Sequence, residues 1–374
     1  MMTPTAQDSH LKWLLELTGL PTAAGREDRV VAWLRAWARR RRKVVLREDR
    51  FGNLEMRRRS RSKTKAAPLY FTAHMDHPAF VARRAADKRT VVAEFRGGVA
   101  EQYFAGAKVL LHHGRKPPQR GTVRCRSQDE ASPAGSTWDV VFSKSVKASE
   151  GDILTWDLAP PAIRGGRLHA PVCDDLAGVA AALGAFDLAL SDPRTQRSDV
   201  RLLFTRSEEV GFIGMIAAVK ARTIPRSARL ITLENSRSFA DSPIGGGPIV
   251  RVGDATSTFD PDLTYRIGRI AADLAADGDS FQWQRRLMAG GTCEASALQA
   301  YGHVATCLCL PLGNYHNMID RTRRIGPEII SVGDFRDLVR LLHETACRLD
   351  SQDQAPALHA RLDALFANRR AVLG

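Results

Sequence analysis

The chain has 374 residues, 44% hydrophobic and 26% charged, an ordinary globular balance on a length that excludes one small domain and accommodates two. Its six cysteines form no Cys-x-x-Cys pair, which excludes a dense disulfide framework and suits reduced thiols and a cytoplasmic address. The formal net charge of +14 raises nucleic acid and anionic membranes as partners, but the basic runs Arg39–Lys43 and Arg57–Lys65 carry few interleaved aromatics, so they read as a solvated helix end and a hairpin tip.

The opening residues lack the basic-then-apolar order of a signal peptide, and no run reaches transmembrane length, so no membrane role is expected. Ser9–Leu17 reads as a short helix with Leu11, Leu14 and Leu15 on its apolar side, ended by Gly19. Arg26–Arg42 is a longer one, where Val30, Trp33, Leu34 and Trp37 form a buried stripe and the closing arginines suit the negative end of the helix. Val44–Arg47 and Leu54–Arg57 read as strands around the turn Phe51-Gly52-Asn53. A buried strand comes next at Leu69–Ala73 and ends in His74, Asp76 and His77.

After His77 the helical period vanishes for some ninety residues. Short strands succeed one another at Thr90–Phe95, Lys108–His112, Gly121–Arg124, Asp139–Phe142 and Ile153–Trp156, separated by Gly- and Pro-containing breaks. This is the pattern of a small β-barrel inserted into another domain, which gives 1–77 and 171–374 as the main domain and 78–170 as the insertion.

From Asp174 onward helices and strands alternate, the pattern of a mixed, mostly parallel sheet covered by helices in an α/β fold. Helices are expected at Leu176–Leu190, Glu209–Ala221, Pro261–Ala276, Glu294–Ala300 and Val332–Leu349, and strands at Val200–Thr205, Arg229–Leu233, Phe281–Met288 and Val304–Leu310. An amphipathic helix with Leu358, Leu362, Leu365 and Phe366 closes the chain. The loop Gly245-Gly246-Gly247-Pro248 has no strand-to-helix phosphate pattern and reads as a turn.

The residues just past the apolar strands are the informative ones. His74 and Asp76 come after one strand, Glu208 and Glu209 after the next, Glu234 after another and His316 after a fourth, while Asp174 and Asp175 open a helix. Singly, each has an ordinary role: Asp174 as a helix cap, Glu208 and Glu209 as first-turn acids, His316 as a loop histidine. Together they are the ligand types of a hard-to-borderline divalent metal, gathered where α/β folds carry their chemistry.

In this order, the motifs HMD, DDLAG, SEEVGFIG, an acid after the next strand and a late Tyr-His resemble the co-catalytic di-zinc aminopeptidases, and most closely the tetrahedral-aminopeptidase (glutamyl/leucyl aminopeptidase) family. LLELTGLPTAAGRED, FGNLE, FRGG, FAGAKVLL, RGTV and GGTCEASAL extend the likeness over most of the chain. The resemblance implies a zinc-peptidase-like fold and a hydrolase releasing N-terminal residues from peptides. It implies two divalent metal ions per chain, zinc or else cobalt or manganese, and assembly as a homo-oligomer. His74 and His316 become terminal ligands of the two ions, Asp174 their bridge, Glu209 and Glu234 one further ligand each, Asp76 the orienter of His74, and Glu208 the general base.

The polar residues around this set depart from the family pattern. His77-Pro78 stand in place of an acid and small apolar residues, Leu176 in place of an arginine, Asn314 in place of another, and Glu294 one position from the expected acid. His77, Glu294, Asn314 and Tyr315 are therefore the candidates for substrate contact. Two other activities stay open on the sequence: a related zinc amidase, carboxypeptidase or N-acyl deacylase, which the glutamate at 234 suits, and a non-catalytic nucleic-acid-associated homologue, which the basic balance suits.

Overall fold

The computed structural model describes residues 4–59, 66–127, 134–277, 280–351 and 354–373; segment 60–65 of the basic hairpin tip lies outside them. Helix α1 (Pro4–Leu17) begins five residues before its expected start, and α2 (Asp28–Arg39) ends three before its expected end. Val30, Leu34 and Trp37 of α2 are buried, and the Arg41 guanidinium sits 3.7 Å above the Trp37 ring while pairing with Asp187 at 2.9 Å. Part of the basic run is thus internal structure, since an arginine stem and its flat head both pack on an aromatic face.

Strands β1 (Val44–Glu48) and β2 (Leu54–Arg58) form a hairpin around Gly52, whose φ of +87° suits a residue without a Cβ. β3 (Leu69–His74) is buried along its whole length. β4 (Ala79–Ala85), β5 (Thr90–Arg96), β6 (Lys108–His112), β7 (Gln119–Arg126), β8 (Gly135–Phe142) and β9 (Ile153–Trp156) then close an antiparallel barrel in the order β4-β5-β8-β7-β6-β9. Its core is aromatic, with Phe104 stacked 4.3 Å from Trp138 and edge-on to Phe80 and Phe95.

β4 escapes the sequence reading because its first four residues are buried on both faces. Phe80 and Ala82 point into the barrel, while Ala79 and Val81 pack on Ala23, so the apolar–polar alternation of a half-exposed strand is missing. The hairpin β10 (Ala162–Arg164) and β11 (Arg167–Ala170), which the sequence reading places with the insertion, is not part of the barrel and pairs with a strand late in the chain.

Helix α3 (Leu176–Ser191) is buried nearly all round, which its alanines and glycines permit; it lies between α1, the sheet and a C-terminal helix. β12 (Val200–Thr205) runs parallel to β3. The next helix, α4 (Ile213–Lys220), starts four residues later than expected: positive φ at Ser207, Gly211 and Phe212 keeps Glu208 and Glu209 in a turn ahead of it. β13 (Arg229–Arg237) continues four residues past its expected end, so Glu234 lies within the strand.

β14 (Ile249–Asp254), α5 (Pro261–Ala276), β15 (Gln284–Met288), α6 (Glu294–Ala300) and β16 (Val304–Leu312) complete the main sheet. Two short strands, β17 (Met318–Ile319) and β18 (Arg324–Ile325), precede β19 (Glu328–Ser331), the partner of β11. α7 (Val332–Arg348) and α8 (Gln354–Arg369) end the chain; Leu362, Leu365 and Phe366 of α8 are exposed, and the Leu358 side chain lies outside the described ones.

The eight-stranded sheet has the order β1-β2-β12-β3-β13-β16-β14-β15, and its centre, β12-β3-β13-β16, is parallel. The carboxyl ends of these four strands therefore open on one edge. No described helix is long and apolar enough to cross a membrane.

Candidate metal centre

His74, Asp174, Glu208, Glu209, Glu234 and His316 meet at that edge. His74 closes β3 opposite Thr205 of β12, so the turn after β12 delivers Glu208 and Glu209 beside it. Its Nε2 lies 3.4 Å from Asp174 Oδ1, 3.8 Å from Glu208 Oε2 and 4.0 Å from Glu234 Oε2. On the other side, His316 Nε2 lies 3.6 Å from Asp174 Oδ2 and 3.5 Å from Glu209 Oε1. Asp174 thus stands between the two imidazoles with one oxygen toward each.

Three sets of donor atoms fall within 4.8 Å of one another: His74 with Asp174 and Glu234, Asp174 with Glu209 and His316, and His74 with Glu208 and Glu209. The first two share Asp174. Asp174 Oδ1, Glu209 Oε1 and Glu234 Oε1 are buried and accept no hydrogen bond. Buried carboxylate oxygens without donors are costly, and cations relieve that cost, so this donor set of carboxylates and imidazoles fits divalent metal.

The electrostatics carry the same signature. Burial drives Glu208, Glu209, Glu234 and Glu294 upward, Glu209 and Glu294 to about 7. Burial works against charging His74 and His316, yet Glu208 and Asp174 around the first, and Glu209 and Asp174 around the second, outweigh it and raise both, His316 to about 9. Burial likewise opposes ionisation of Asp174, but the neighbouring imidazoles of His316 and His74 hold it below the usual carboxylate range.

Asp76 fastens the floor of the site. Its carboxylate accepts the backbone amides of Glu208 at 2.9 Å and Glu209 at 3.0 Å, and its Oδ1 lies 3.6 Å from His74 Nδ1. His77 is buried, with Nδ1 2.6 Å from the Asp174 carbonyl and Nε2 2.9 Å from Asn317 Oδ1; burial lowers it to about 4. Both ring nitrogens are therefore engaged within the protein. Asn314 donates to the Pro327 carbonyl at 2.8 Å, Tyr315 stacks on the His316 ring at 3.8 Å, and Glu294 is buried at the start of α6.

Several supporting residues escape the sequence reading. Glu328 accepts the amides of Cys173 at 2.7 Å and Asp174 at 3.0 Å on one oxygen and that of His316 at 2.9 Å on the other; burial, then the Asp174 charge, pushes it up to about 8. The only sequence signal was an acid at the head of an apolar run. Glu27 accepts the Ser207 amide at 3.1 Å and pairs with Arg206 at 2.7 Å, steadying the Glu208 turn. The carbonyl of Gly98, from the barrel, lies 2.6 Å from His316 Nδ1. Gly178, the glycine of the DDLAG motif already singled out in the sequence, leaves room for the Asp175 carboxylate, since a Cβ there would fall 2.2 Å from Asp175 Oδ1.

Beside the cluster opens a cavity of about 320 Å³ whose lining includes Glu234, Phe239, Arg251, Cys293, Tyr315 and Met318. Arg251 is 4% exposed and donates to Ser236 Oγ at 3.3 Å; among the described residues no carboxylate pairs with it.

A mostly parallel α/β sheet with imidazoles and carboxylates gathered at its carboxyl edge is the arrangement of a metallohydrolase. The family model described as M42 glutamyl aminopeptidase matches residues 52–325, and the chain belongs to that family of peptide-bond hydrolases and is an aminopeptidase. Solved structures of similar fold include the aminopeptidase APDkam598 from the archaeon Desulfurococcus kamchatkensis, 19% identical over 90% of this chain and 94% of that one, with a TM-score of 0.73. The TET1 peptidase of Pyrococcus horikoshii, which can assemble into a tetrahedron or a large octahedral shell, is 18% identical over 90% of this chain and 99% of that one, with a TM-score of 0.72. No curated protein sequence matches the chain.

Proposed function

We propose that the chain is a co-catalytic di-metal aminopeptidase, with His74, Asp174 and Glu234 holding one divalent ion, Asp174, Glu209 and His316 the other, and Glu208 acting as general base. The carrying observation is the shared carboxylate: one oxygen of Asp174 faces His74 and the other faces His316. Zinc is the first candidate, because carboxylate with imidazole is its ordinary donor set, and cobalt or manganese suit the same atoms. When bound, the ions supply Lewis-acid polarisation of the scissile carbonyl and stabilise charge developing on it.

The residues of the chain do the rest. Glu208 is buried, and burial makes its carboxylate a stronger base than an exposed one, so it takes a proton from the attacking water and returns it to the leaving amine. Asp76 keeps the backbone of Glu208 and Glu209 fixed, so the base and the neighbouring ligand hold their separate directions. His77 and Asn317 anchor the Asp174 carbonyl from behind.

The cavity beside Glu234 accommodates the side chain of the N-terminal residue, and Arg251 in its wall favours an acidic one, because a buried guanidinium without a carboxylate partner gains most from an anionic guest. The exposed apolar residues of α8, and the shells formed by the Pyrococcus horikoshii peptidase, support self-association of this chain as well. The barrel is read as the insertion of a catalytic domain built from the segments on either side of it. The deciding experiment pairs elemental analysis with hydrolysis of free-amine and N-acylated aminoacyl substrates. At least two divalent metals per chain and cleavage only of the free-amine substrates are expected; metal-free protein, or preference for the acylated series, overturns the reading.

A further inference from the structure

A second cluster of metal-ligand types lies at the other end of α3, roughly 25 Å from Asp174 along the helix axis at about 1.5 Å per residue. Asp192 caps the C-terminus of α3, and His343 and Cys347 stand one turn apart on α7. His343 Nε2 lies 3.1 Å from Asp192 Oδ2 and 3.7 Å from Cys347 Sγ, and Cys347 Sγ lies 3.7 Å from Asp192 Oδ2. Oxygen, nitrogen and sulfur donors thus form a nearly regular triangle. Zinc bonds of about 2.0–2.3 Å in tetrahedral geometry separate such donors by roughly 3.3–3.6 Å, within about 0.2 Å of each edge.

We infer that Asp192, His343 and Cys347 form a second, structural site for a zinc-type divalent cation, pinning the end of α3 to α7, with water in the fourth position. His343, Asp192 and Glu344 are 13–16% exposed at their side chains, so the cluster is in reach of solvent. His343 Nδ1 faces Glu344 Oε1 at 3.7 Å, the outer carboxylate that commonly orients a ligating imidazole. Arg194 bonds Glu344 Oε1 at 2.8 Å and the same Asp192 Oδ2 at 2.8 Å, so a cation bound there shares that oxygen with the guanidinium or displaces it. With the thiol ionised, Asp192, Glu344 and Cys347 carry three negative charges against one positive on Arg194; a divalent ion balances the remaining two. This site contains a sulfur donor, whereas the cluster at the sheet edge is built from oxygen and nitrogen.

That difference supplies the test. The full chain is stripped with chelator and titrated with cobalt while the near-ultraviolet spectrum is recorded, where a thiolate-to-cobalt charge-transfer band reports sulfur ligation. The wild type is expected to develop the band, Cys347→Ser to lose it, and Cys293→Ser, which alters the cysteine lining the cavity with Glu234, to keep it. Zinc content is expected to fall by one ion per chain in Cys347→Ser. If Cys347→Ser does not fold, Asp192→Asn is read in its place, with a cobalt affinity at least tenfold weaker at the band-forming site expected. A folded wild type without the band, or a band that persists in Cys347→Ser, overturns the assignment.

Discussion

Glu328 and Asp174 meet through the backbone: Oε2 of Glu328 accepts the Asp174 amide at 3.0 Å, while its other oxygen accepts the His316 amide at 2.9 Å. One buried carboxylate therefore sets the positions of two residues that are 142 apart in the chain and face each other across the site. Replacing it by alanine leaves three buried N–H donors, those of Cys173, Asp174 and His316, without acceptors, at about 1–3 kcal/mol each. Glu328→Ala is expected to lower the melting temperature by several degrees and to weaken metal retention, and Glu328→Gln, which keeps one acceptor oxygen, to fall between. Calorimetry with metal analysis of the same samples checks it; wild-type stability in Glu328→Ala refutes the buttressing role.

Glu208→Gln removes the proposed proton acceptor and leaves His74, Asp174, Glu209, Glu234 and His316 in place. The expected outcome is a loss in kcat of about 10²–10⁴-fold, with metal content unchanged. Removal of metal from the wild type by chelator is expected to abolish turnover, with recovery on adding zinc. A fully active Glu208→Gln variant excludes the general-base assignment.

Arg251→Leu is expected to cut kcat/KM for substrates with an N-terminal glutamate by about 30-fold or more, since removing one side of a buried charge contact costs about 2–5 kcal/mol. Leucyl substrates should be unaffected or improved. Equal losses on both series would make Arg251 a packing residue.

Gly178→Ala sets two effects against each other. In an ordinary helix the change stabilises by up to about 1 kcal/mol. Here the new methyl group falls 2.2 Å from Asp175 Oδ1, and overpacking of this kind costs about 1–3 kcal/mol. The clash outweighs the propensity, so a lower melting temperature and lower activity are expected; a more stable variant would show that Asp175 moves aside freely.

His112 supplies a pH dependence away from the metal centre. It lies in the barrel with Nε2 2.9 Å from Thr155 Oγ1, and burial, reinforced by Arg29, lowers its pKa from 6.5 to about 4. Between those values the unfolded chain holds the proton and the folded one does not, so stability rises with pH through this window and is lost as pH falls. His112→Gln is expected to flatten that part of the melting profile. A difference between variant and wild type that is constant from pH 4 to 7 contradicts the assignment.

Much of this cluster was legible in the sequence because its imidazoles and carboxylates sit just past apolar runs. His74, Glu208, Glu209 and His316 come directly after stretches that read as strands, and a parallel sheet brings such ends to one edge. Glu328 was not legible, and Glu27 appeared only as one residue of LLELTGLPTAAGRED without a role, since both act through backbone amides of residues far off in sequence. Boundaries failed for local reasons. Glu209 has good helical neighbours, yet left-handed Ser207 and Phe212 hold it in a turn.

The sequence by itself determined the chemistry available, the alternation that makes the α/β sheet, the β-rich insertion and the family, because these depend on residue type and on periodicity along one strand or helix. Only the tertiary structure decided that Asp174 turns one oxygen to each histidine, that the Gly98 carbonyl reaches back from the barrel to His316, and that Asp192 meets His343 and Cys347. Those are contacts between segments a hundred or more residues apart. They are fixed by strand order, helix packing and the few polar groups that burial compels to find partners, and none of these is local to the residues concerned.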